Sequence, residues 1–462
     1  MQLLSQRGTA TGTSEVGDPR LLESGHPSSR RPLSSEVALA VCFLAIIFGV
    51  PISQICIQLG HGQRVQFTDV FRYAPTEKNL RQFEQGLKDE SWFEQRLRPL
   101  TQQFLFRLLG DTGSKADMGR DGWLFYRPDV RYVVEPDRPD LGDSVGDWVQ
   151  APEGTYQDNV ARAIVRFRDQ LRDRNIELLV MPVPGKPSIY PEMMWRTSQR
   201  EGKGLASPTL SLMEKLHAQG VEVVNLFNRF QQVRQNTSKD YLYLAQDTHW
   251  TPEGARLAAE SVAEKLQALG WAPQPTVEFR SRKVRVKRYG DVLEMIQPRA
   301  SRRNVPAEEV NGDQVADNAG RLLTSSQAER PGTYRYPGGT VSLLVLGDSF
   351  CRIYQEREPR SLGEIIGAAG DASSGNSRAG GTPTRLLPGS AGFPSYLAMA
   401  LQAPLDFIVS DGGASTDVRR SLATNPEILE GKKVVVWEFV ERDIQLGKAG
   451  WLDVALPPSS GT

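Results

Sequence analysis

A serine hydroxyl becomes an effective nucleophile only when a neighbouring base takes its proton, so the search for chemistry in this chain begins with its histidines. There are four. His26 lies in a polar tail, His61 follows an apolar span, and His217 ends the amphipathic run Leu210–His217. His249 stands in Asp247-Thr-His-Trp250, directly before Thr251-Pro-Glu253, which reads as a helix start with Thr251 as N-cap and Pro252 in the first turn. A carboxylate two residues from an imidazole can orient the ring and stabilise its charged form. The alternative is a capping aspartate beside a surface histidine.

The serine that matches this base is Ser349. The run Val341-Ser-Leu-Leu-Val-Leu-Gly-Asp-Ser-Phe350 is rich in branched aliphatics and breaks off at Gly347-Asp348-Ser349. Too short for a helix of its own, it reads as a strand buried on both faces of a parallel sheet. Such a strand delivers Ser349 to its carboxyl end, where open α/β sheets place their ligand crevice, and Gly347 lets the backbone come close. An ordinary strand-to-helix turn capped by Asp348 or Ser349 is the rival explanation. If Ser349 is the nucleophile, His249 the general base and Asp247 its orienting carboxylate, the chemistry is acyl transfer through a serine ester.

The elements that must position these groups are legible in outline. Val160, Ile164, Phe167 and Leu171 form a helical stripe, followed by a buried strand over Ile176–Pro184, a helix around Leu210–Gln219 and a strand over Val221–Phe227. Ala255, Ala258, Val262, Leu266 and Leu269 mark another helix, closed by Gly270. Strands at Pro404–Ser410 and Lys433–Val440 complete a doubly wound α/β layer pattern. Asp411-Gly412-Gly413 follows the first of these; two glycines can present backbone N–H groups to the crevice, or simply make a turn. Arg280–Arg288 holds six basic residues and reads as a solvated face, or as a contact for an anionic polysaccharide or phospholipid headgroups. Pro298–Gly339 and Gly370–Gly389 read as polar insertions with little core.

At the N-terminus, residues 1–35 are polar and lack apolar periodicity, as a disordered tail would. From Val37 to Gly60 no charged residue occurs; as a helix this stretch spans roughly 36 Å, enough for a hydrocarbon core. A signal peptide is the competing reading, although no Ala-x-Ala site follows the apolar core. Thr76–Leu109 carries apolar residues near helical spacing among many charges, a pattern for a helical stalk. Lys and Arg number 55, as do Asp and Glu, and no dense basic patch forms, which argues against nucleic acid as a partner. Three cysteines, two of them in the apolar span, make no disulfide framework; Cys351 reads as a small buried side chain near the site. The proposed chemistry requires no cofactor and no metal.

The sequence also resembles a family. Asp247-Thr-His-Trp250 about a hundred residues upstream of a strand ending Gly347-Asp-Ser-Phe350 is similar to the SGNH-hydrolase-like domain of the alginate O-acetyltransferases of the AlgJ/AlgX type, whose motif order is the reverse of ordinary SGNH hydrolases. Gly119-Arg-Asp-Gly-Trp-Leu-Phe-Tyr126, Val183-Pro-Gly-Lys-Pro-Ser-Ile-Tyr-Pro-Glu192 and Val434-Val-Val-Trp-Glu-Phe-Val-Glu-Arg442 resemble further family segments in the same order. The resemblance covers about residues 119–445 and implies an SGNH-hydrolase-like three-layer fold with a central parallel sheet, plus an N-terminal transmembrane helix. It divides the chain into a cytoplasmic tail (1–35), an anchor (36–60), a stalk (61–118) and an acetyltransferase domain (119–455).

The implied activity is transfer of an acetyl group through Ser349, His249 and Asp247 onto hydroxyls of an extracytoplasmic polysaccharide. Gly412, Gly413, Lys186, Tyr190, Trp250 and Arg442 become candidates for oxyanion or substrate binding; the usual SGNH asparagine has no counterpart. A membrane-bound O-acyltransferase would supply the acetyl groups, with this chain single-pass in the inner membrane and its domain periplasmic. A polysaccharide acetyl esterase using the same three residues, and a non-catalytic glycan-binding scaffold, are the alternatives. Because the chain stops soon after its last strand, the extra carbohydrate-binding domain of AlgX-type proteins is expected to be absent.

Overall fold

The computed structural model describes residues 33–62, 65, 76, 79–80, 83, 112–134, 156–194, 207–236, 241–296, 306–324, 332–338, 341–356, 363–366, 389–446 and 450–458. Two compact units result, Met1–Leu97 and Arg98–Thr462. In the first, Leu33–Gly60 is one helix. Its segment Val37–Gly60 has a mean hydropathy of 2.4, long and apolar enough to cross a membrane. Leu39, Val41, Phe43, Ile46 and Phe48 are all exposed, the distribution of a helix apolar on every side. Pro51 is accommodated inside it. The helix takes in the last three residues of the expected tail 1–35; the rest of the tail falls outside the described residues, as does most of the expected stalk.

The second unit is built on a six-stranded sheet. Its strands, numbered along the chain after the short antiparallel pair β1 (Ala116–Met118) and β2 (Leu124–Tyr126), are β3 (Glu177–Val183), β4 (Glu222–Val223), β7 (Thr333–Tyr334), β8 (Leu343–Gly347), β10 (Asp406–Val409) and β11 (Val434–Val440). The order is β4-β3-β11-β8-β10-β7. All neighbours run parallel except the edge strand β7, which is antiparallel to β10.

Alternate side chains feed two separate cores. Leu178, Val180, Leu344, Leu346, Val435 and Trp437 face one layer, packing on Ile164, Phe167, Leu212 and Val418 of the helices Tyr156–Arg172, Thr209–Ala218 and Asp417–Ala423. Leu179, Met181, Leu343, Val345, Val434 and Val436 face the other, against Phe230, Val262, Leu266 and Leu397 of the helices Leu226–Asn236, Pro252–Ala268 and Phe393–Leu401. Burial on both faces explains why these strands read as continuous aliphatic runs instead of alternating ones. The expected three-layer α/β architecture is therefore observed, with one antiparallel strand at its edge.

Two local expectations are corrected and a third is given its place in the fold. The strand foreseen over Val221–Phe227 is only β4, because Leu226 and Phe227 already belong to a helix whose apolar face packs on the sheet. The basic stretch is a largely solvated face, as expected, and it is also regular. It is strand β5 (Phe279–Arg288), the middle of a second sheet, paired antiparallel with β6 (Glu308–Asp317) and β9 (Gly363–Ile366). Its Lys and Arg side chains mostly stay in water while Val286 is buried and Arg288 turns inward. Much of Pro298–Gly339 carries core as well: Val310, Val315, Leu323, Tyr334 and Tyr336 are buried. Polar residues alternate with these, so the segment averages polar while one face is apolar. Gly370–Gly389 lies outside the described residues, its last position excepted.

Gly347 closes β8 where space is shortest. A Cβ there would lie 2.4 Å from Cys351 Sγ and 2.6 Å from Glu438 Oε2. The glycine is thus required by close approach. Gly347→Ala is expected to cost about 1–3 kcal/mol through overpacking, read as a lower urea midpoint; an unchanged midpoint would show that the turn has room to spare.

Candidate active site

The nucleophile turn is assembled from the ends of β8 and β11. Asp348 caps the short helix Ser349–Arg352: its Oδ1 accepts from the Phe350 amide at 2.8 Å, and its Oδ2 accepts from the Val440 amide at 2.9 Å. The Asp348 amide donates to Glu438 Oε2 at 2.9 Å. Burial, reinforced by the Asp348 charge, holds Glu438 well above the ordinary carboxylate range. Ser349 is left half-buried at the mouth of this turn. Capping and presentation of the serine, alternatives in the sequence, coexist because Asp348 does the first and frees Ser349 for the second.

The imidazole arrives on the segment Tyr241–Thr251, closed by a bridge between Tyr243 and Trp250. Thr251 caps the helix Pro252–Ala268 as expected, accepting from the Gly254 amide. A buried ammonium holds the segment from beneath. Lys186 Nζ donates to the carbonyls of Leu244 (3.0 Å), Ala245 (3.1 Å) and Asp247 (2.7 Å). Glu308, on β6, accepts from the amides of Ala245 (2.6 Å) and Gln246 (2.8 Å). On the open side Gly290 presses against the loop so closely that a Cβ would meet the Gln246 carbonyl oxygen at 2.0 Å.

These supports bring the three candidates together. His249 Nε2 accepts from Ser349 Oγ at 2.7 Å, and His249 Nδ1 donates to Asp247 Oδ1 at 2.6 Å. Asp247 Oδ1 also accepts from the His249 amide at 3.0 Å. The Phe350 ring packs beside the imidazole, 4.7 Å between centroids. Burial alone would favour neutral imidazole, but the charge and hydrogen bond of Asp247, with Asp291 behind it, raise the His249 pKa above 6.5. Asp247 is fully buried, which disfavours its charge; His249, Arg288 and Asp291 more than offset that and hold its carboxyl well below the usual range.

The remaining sequence candidates occupy different places. Lys186 is buried, lies over the Trp123 and Phe125 rings, and is pushed down to about 8 by burial. Tyr190 accepts from the Leu242 amide at 2.9 Å within an aromatic cluster. Trp250 is buried and donates to the Phe350 carbonyl at 3.1 Å, tying the histidine segment to the serine helix. These three hold the segment from the protein side. Arg442 pairs with Asp129 at 2.9 Å and lies over Phe350, beside the site. Gly412 adopts a positive φ of 63° after β10, in a turn in which the Gly413 amide donates to the Ser410 carbonyl. Of the two glycines, only Gly412 has an amide without a partner among the described residues.

Two residues were missed. Arg288 Nη2 donates to Asp247 Oδ2 at 3.3 Å, and the Asp291 amide donates to the same oxygen at 3.1 Å. The Asp291 carboxylate accepts from the Thr248 amide (2.8 Å) and hydroxyl (2.7 Å) and lies 3.6 Å from His249 Nδ1. The one available signal was Arg288-Tyr-Gly-Asp291 ending a strand with a glycine and an acid, but nothing in the sequence relates it to residues some forty positions earlier. Asp247, His249 and Asp291 are also close enough to share a metal ion. Their donor atoms already engage one another and Thr248, Arg288 and Ser349, a set complete without one.

Parts of the chain are similar to known proteins. The family model for the SGNH hydrolase-like domain of the acetyltransferase AlgX matches residues 117–330, which include Asp247 and His249. A probable alginate O-acetylase AlgJ from Pseudomonas putida is 29% identical over 163 residues, 35% of this chain and 36% of that protein. The alginate biosynthesis protein AlgX from Pseudomonas aeruginosa is 28% identical over 171 residues, 36% of this chain and 31% of that protein. The matched segment thus spans only about a third of the length of these curated relatives. The solved O-acetyltransferase domain of Pseudomonas putida AlgJ aligns with 72% of this chain and 92% of its own, at 19% identity and a TM-score of 0.48. Over residues 117–330 the chain is thus similar to the AlgJ/AlgX-type proteins with an SGNH hydrolase-like domain.

Proposed function

We propose that the chain is an O-acetyltransferase that passes an acetyl group through Ser349 to hydroxyls of an extracytoplasmic polysaccharide. The observation that carries this reading is the continuous relay from Ser349 Oγ to His249 Nε2 and from His249 Nδ1 to Asp247. In acylation, Ser349 Oγ bonds to the acetyl carbonyl carbon as its proton moves to His249 Nε2, and the donor's leaving group departs with a proton returned by His249. In transfer, a sugar hydroxyl gives its proton to His249 as its oxygen takes the acetyl carbon, and the Oγ–C bond breaks with the proton returning to Ser349. Asp247 keeps Nδ1 protonated so that Nε2 faces the serine, and stabilises the imidazolium. The Ser349 amide, without a partner among the described residues, is the first oxyanion donor in this scheme. Gly412 is the second donor in this scheme.

The acceptor class rests on the relatives, one named an alginate O-acetylase and one an alginate biosynthesis protein. The apolar helix would hold the chain in the inner membrane as a single span, with the catalytic domain in the periplasm beside a membrane-bound acyltransferase that delivers the acetyl group.

Full-length chain in detergent, given an activated acetyl ester, is expected to gain one acetyl group on Ser349 by mass. Ser349→Ala should gain none, and Asp247→Asn should slow acylation by on the order of 10⁴-fold through loss of the correct ring tautomer. Adding acetylatable oligosaccharide should move the label onto sugar faster than onto water; release of free acetate at one rate with or without sugar would make the protein an esterase. If wild type and Ser349→Ala behave alike, the serine ester is excluded and a glycan-binding scaffold remains.

A pH profile gives an independent check. Only neutral His249 can accept the serine proton, and its pKa is raised above 6.5. Acylation should therefore climb as pH rises through a midpoint above 6.5 and be lost below it. A profile flat from pH 5 to 8 would contradict His249 as the base.

A further inference from the structure

His249 Nδ1 faces two carboxylates. Asp247 Oδ1 is hydrogen bonded to it at 2.6 Å, and Asp291 Oδ2 stands 3.6 Å away, joined through Thr248, whose hydroxyl donates to Asp291 and lies 3.1 Å from the same nitrogen. The two acids are also linked to each other, since the Asp291 amide donates to Asp247 Oδ2. A simple relay needs only one carboxylate; a second one held at this range by three backbone and side-chain contacts is a charge that the ring must respond to.

We infer that Asp291 is a positioning residue that sets the basicity of His249 and clamps its peptide segment, acting through the imidazole and never touching the acyl group. The role rests on the acyl-transfer reading only in its consequence for rate; its effect on the ring does not. Geometry supplies both parts. Its amide and carboxylate grip residues 247 and 248 at once, so the segment cannot rotate the ring away from Ser349 without breaking them. Its negative charge favours the imidazolium that forms when Ser349 gives up its proton.

The other charges around His249 are Asp247 on its own segment, Arg288 on β5, which pairs with Asp247, Arg442 after β11, which opposes protonation, and Asp348 below the serine. Asp291 itself is pushed up to about 6, chiefly by burial and then by the Asp247 charge. The pair of carboxylates therefore takes up one proton on mild acidification, with Asp291 rather than Asp247 receiving it. Protonated Asp291 no longer supports the imidazolium by charge, so the two groups titrate as a linked set.

Only four histidines occur, so full-length chain carrying histidine labelled with carbon-13 at the ring Cε1 gives a spectrum in which His249 is found by its loss in His249→Ala. In Asp291→Asn, which keeps an oxygen to accept from the Thr248 amide, the His249 midpoint is expected to fall by about one unit. The acid limb of Ser349 acylation should move down by the same amount. An unchanged His249 midpoint overturns the inference, and so does a lowered midpoint with the acylation profile left in place. If Asp291→Asn does not fold, the carboxyl carbon of Asp291 is followed in wild type. It should titrate well above an ordinary aspartate, in step with a shift of the His249 ring signal; titration in the ordinary range with no such coupling also overturns it. Because the ring titration requires no acetyl donor, it is read even if Ser349 proves to take up no acetyl group.

Discussion

Everything at the site depends on keeping one buried carboxylate ionised. Asp247 has no exposure to solvent, and an isolated carboxylate there would take up a proton sooner than stay charged. Its two oxygens are instead saturated from three parts of the chain: the His249 ring and amide on one side, Arg288 and the Asp291 amide on the other. Removing any one leaves a charge in a dry environment with too few partners, a situation that typically costs several kcal/mol when a buried pair is broken. The site is accordingly a junction of β5, the helix Asp291–Ile296 and the segment Tyr241–Thr251, and none of these could hold the geometry alone.

A second buried charge carries the first. Lys186 follows β3 and reaches up into the histidine segment, where three carbonyls satisfy its three donors and two aromatic rings flank it. Glu308 approaches the same segment from β6 and takes two of its amides. A loop that would otherwise bury unpaired backbone groups is thereby satisfied from both sheets at once. The small antiparallel sheet earns its place for this reason: β5 and β6 bring Arg288 and Glu308 to a segment that the large sheet holds from its own side through Lys186 and Tyr190.

On the serine side the logic is steric as much as polar. Gly347, Cys351 and Glu438 pack so tightly under the turn that the backbone has one way out, and Asp348 fastens that exit to Val440 on the neighbouring strand. Trp250 then bridges the two halves through the Phe350 carbonyl. The base and the nucleophile are thus fixed by separate scaffolds that meet at the Ser349–His249 hydrogen bond and at this bridge, which leaves the outer face of Ser349 open to a substrate.

Much of this was legible in the residues. The buried strands declared themselves as aliphatic runs, the helices as stripes, and the pair Asp247-Thr-His249 with Gly347-Asp-Ser349 named the candidate relay by elimination among four histidines. The helix over the uncharged span was equally plain, since apolar length is a local property. By contrast Arg288 hid in a run of basic residues whose other members are mostly solvated, and Asp291 carries no signal in the sequence that ties it to His249. Lys186 and Trp250 could be singled out by resemblance, but as candidates for oxyanion or substrate binding, whereas in the structure they hold the histidine segment. Hydrophobic period and turn chemistry are written along the chain, and they determined the elements and the order of the motifs. Which charge ends inside, and against which partner, was decided only when β5 and β6 closed over the histidine segment, because the cost of burying Asp247 is met by groups that become its neighbours in space alone.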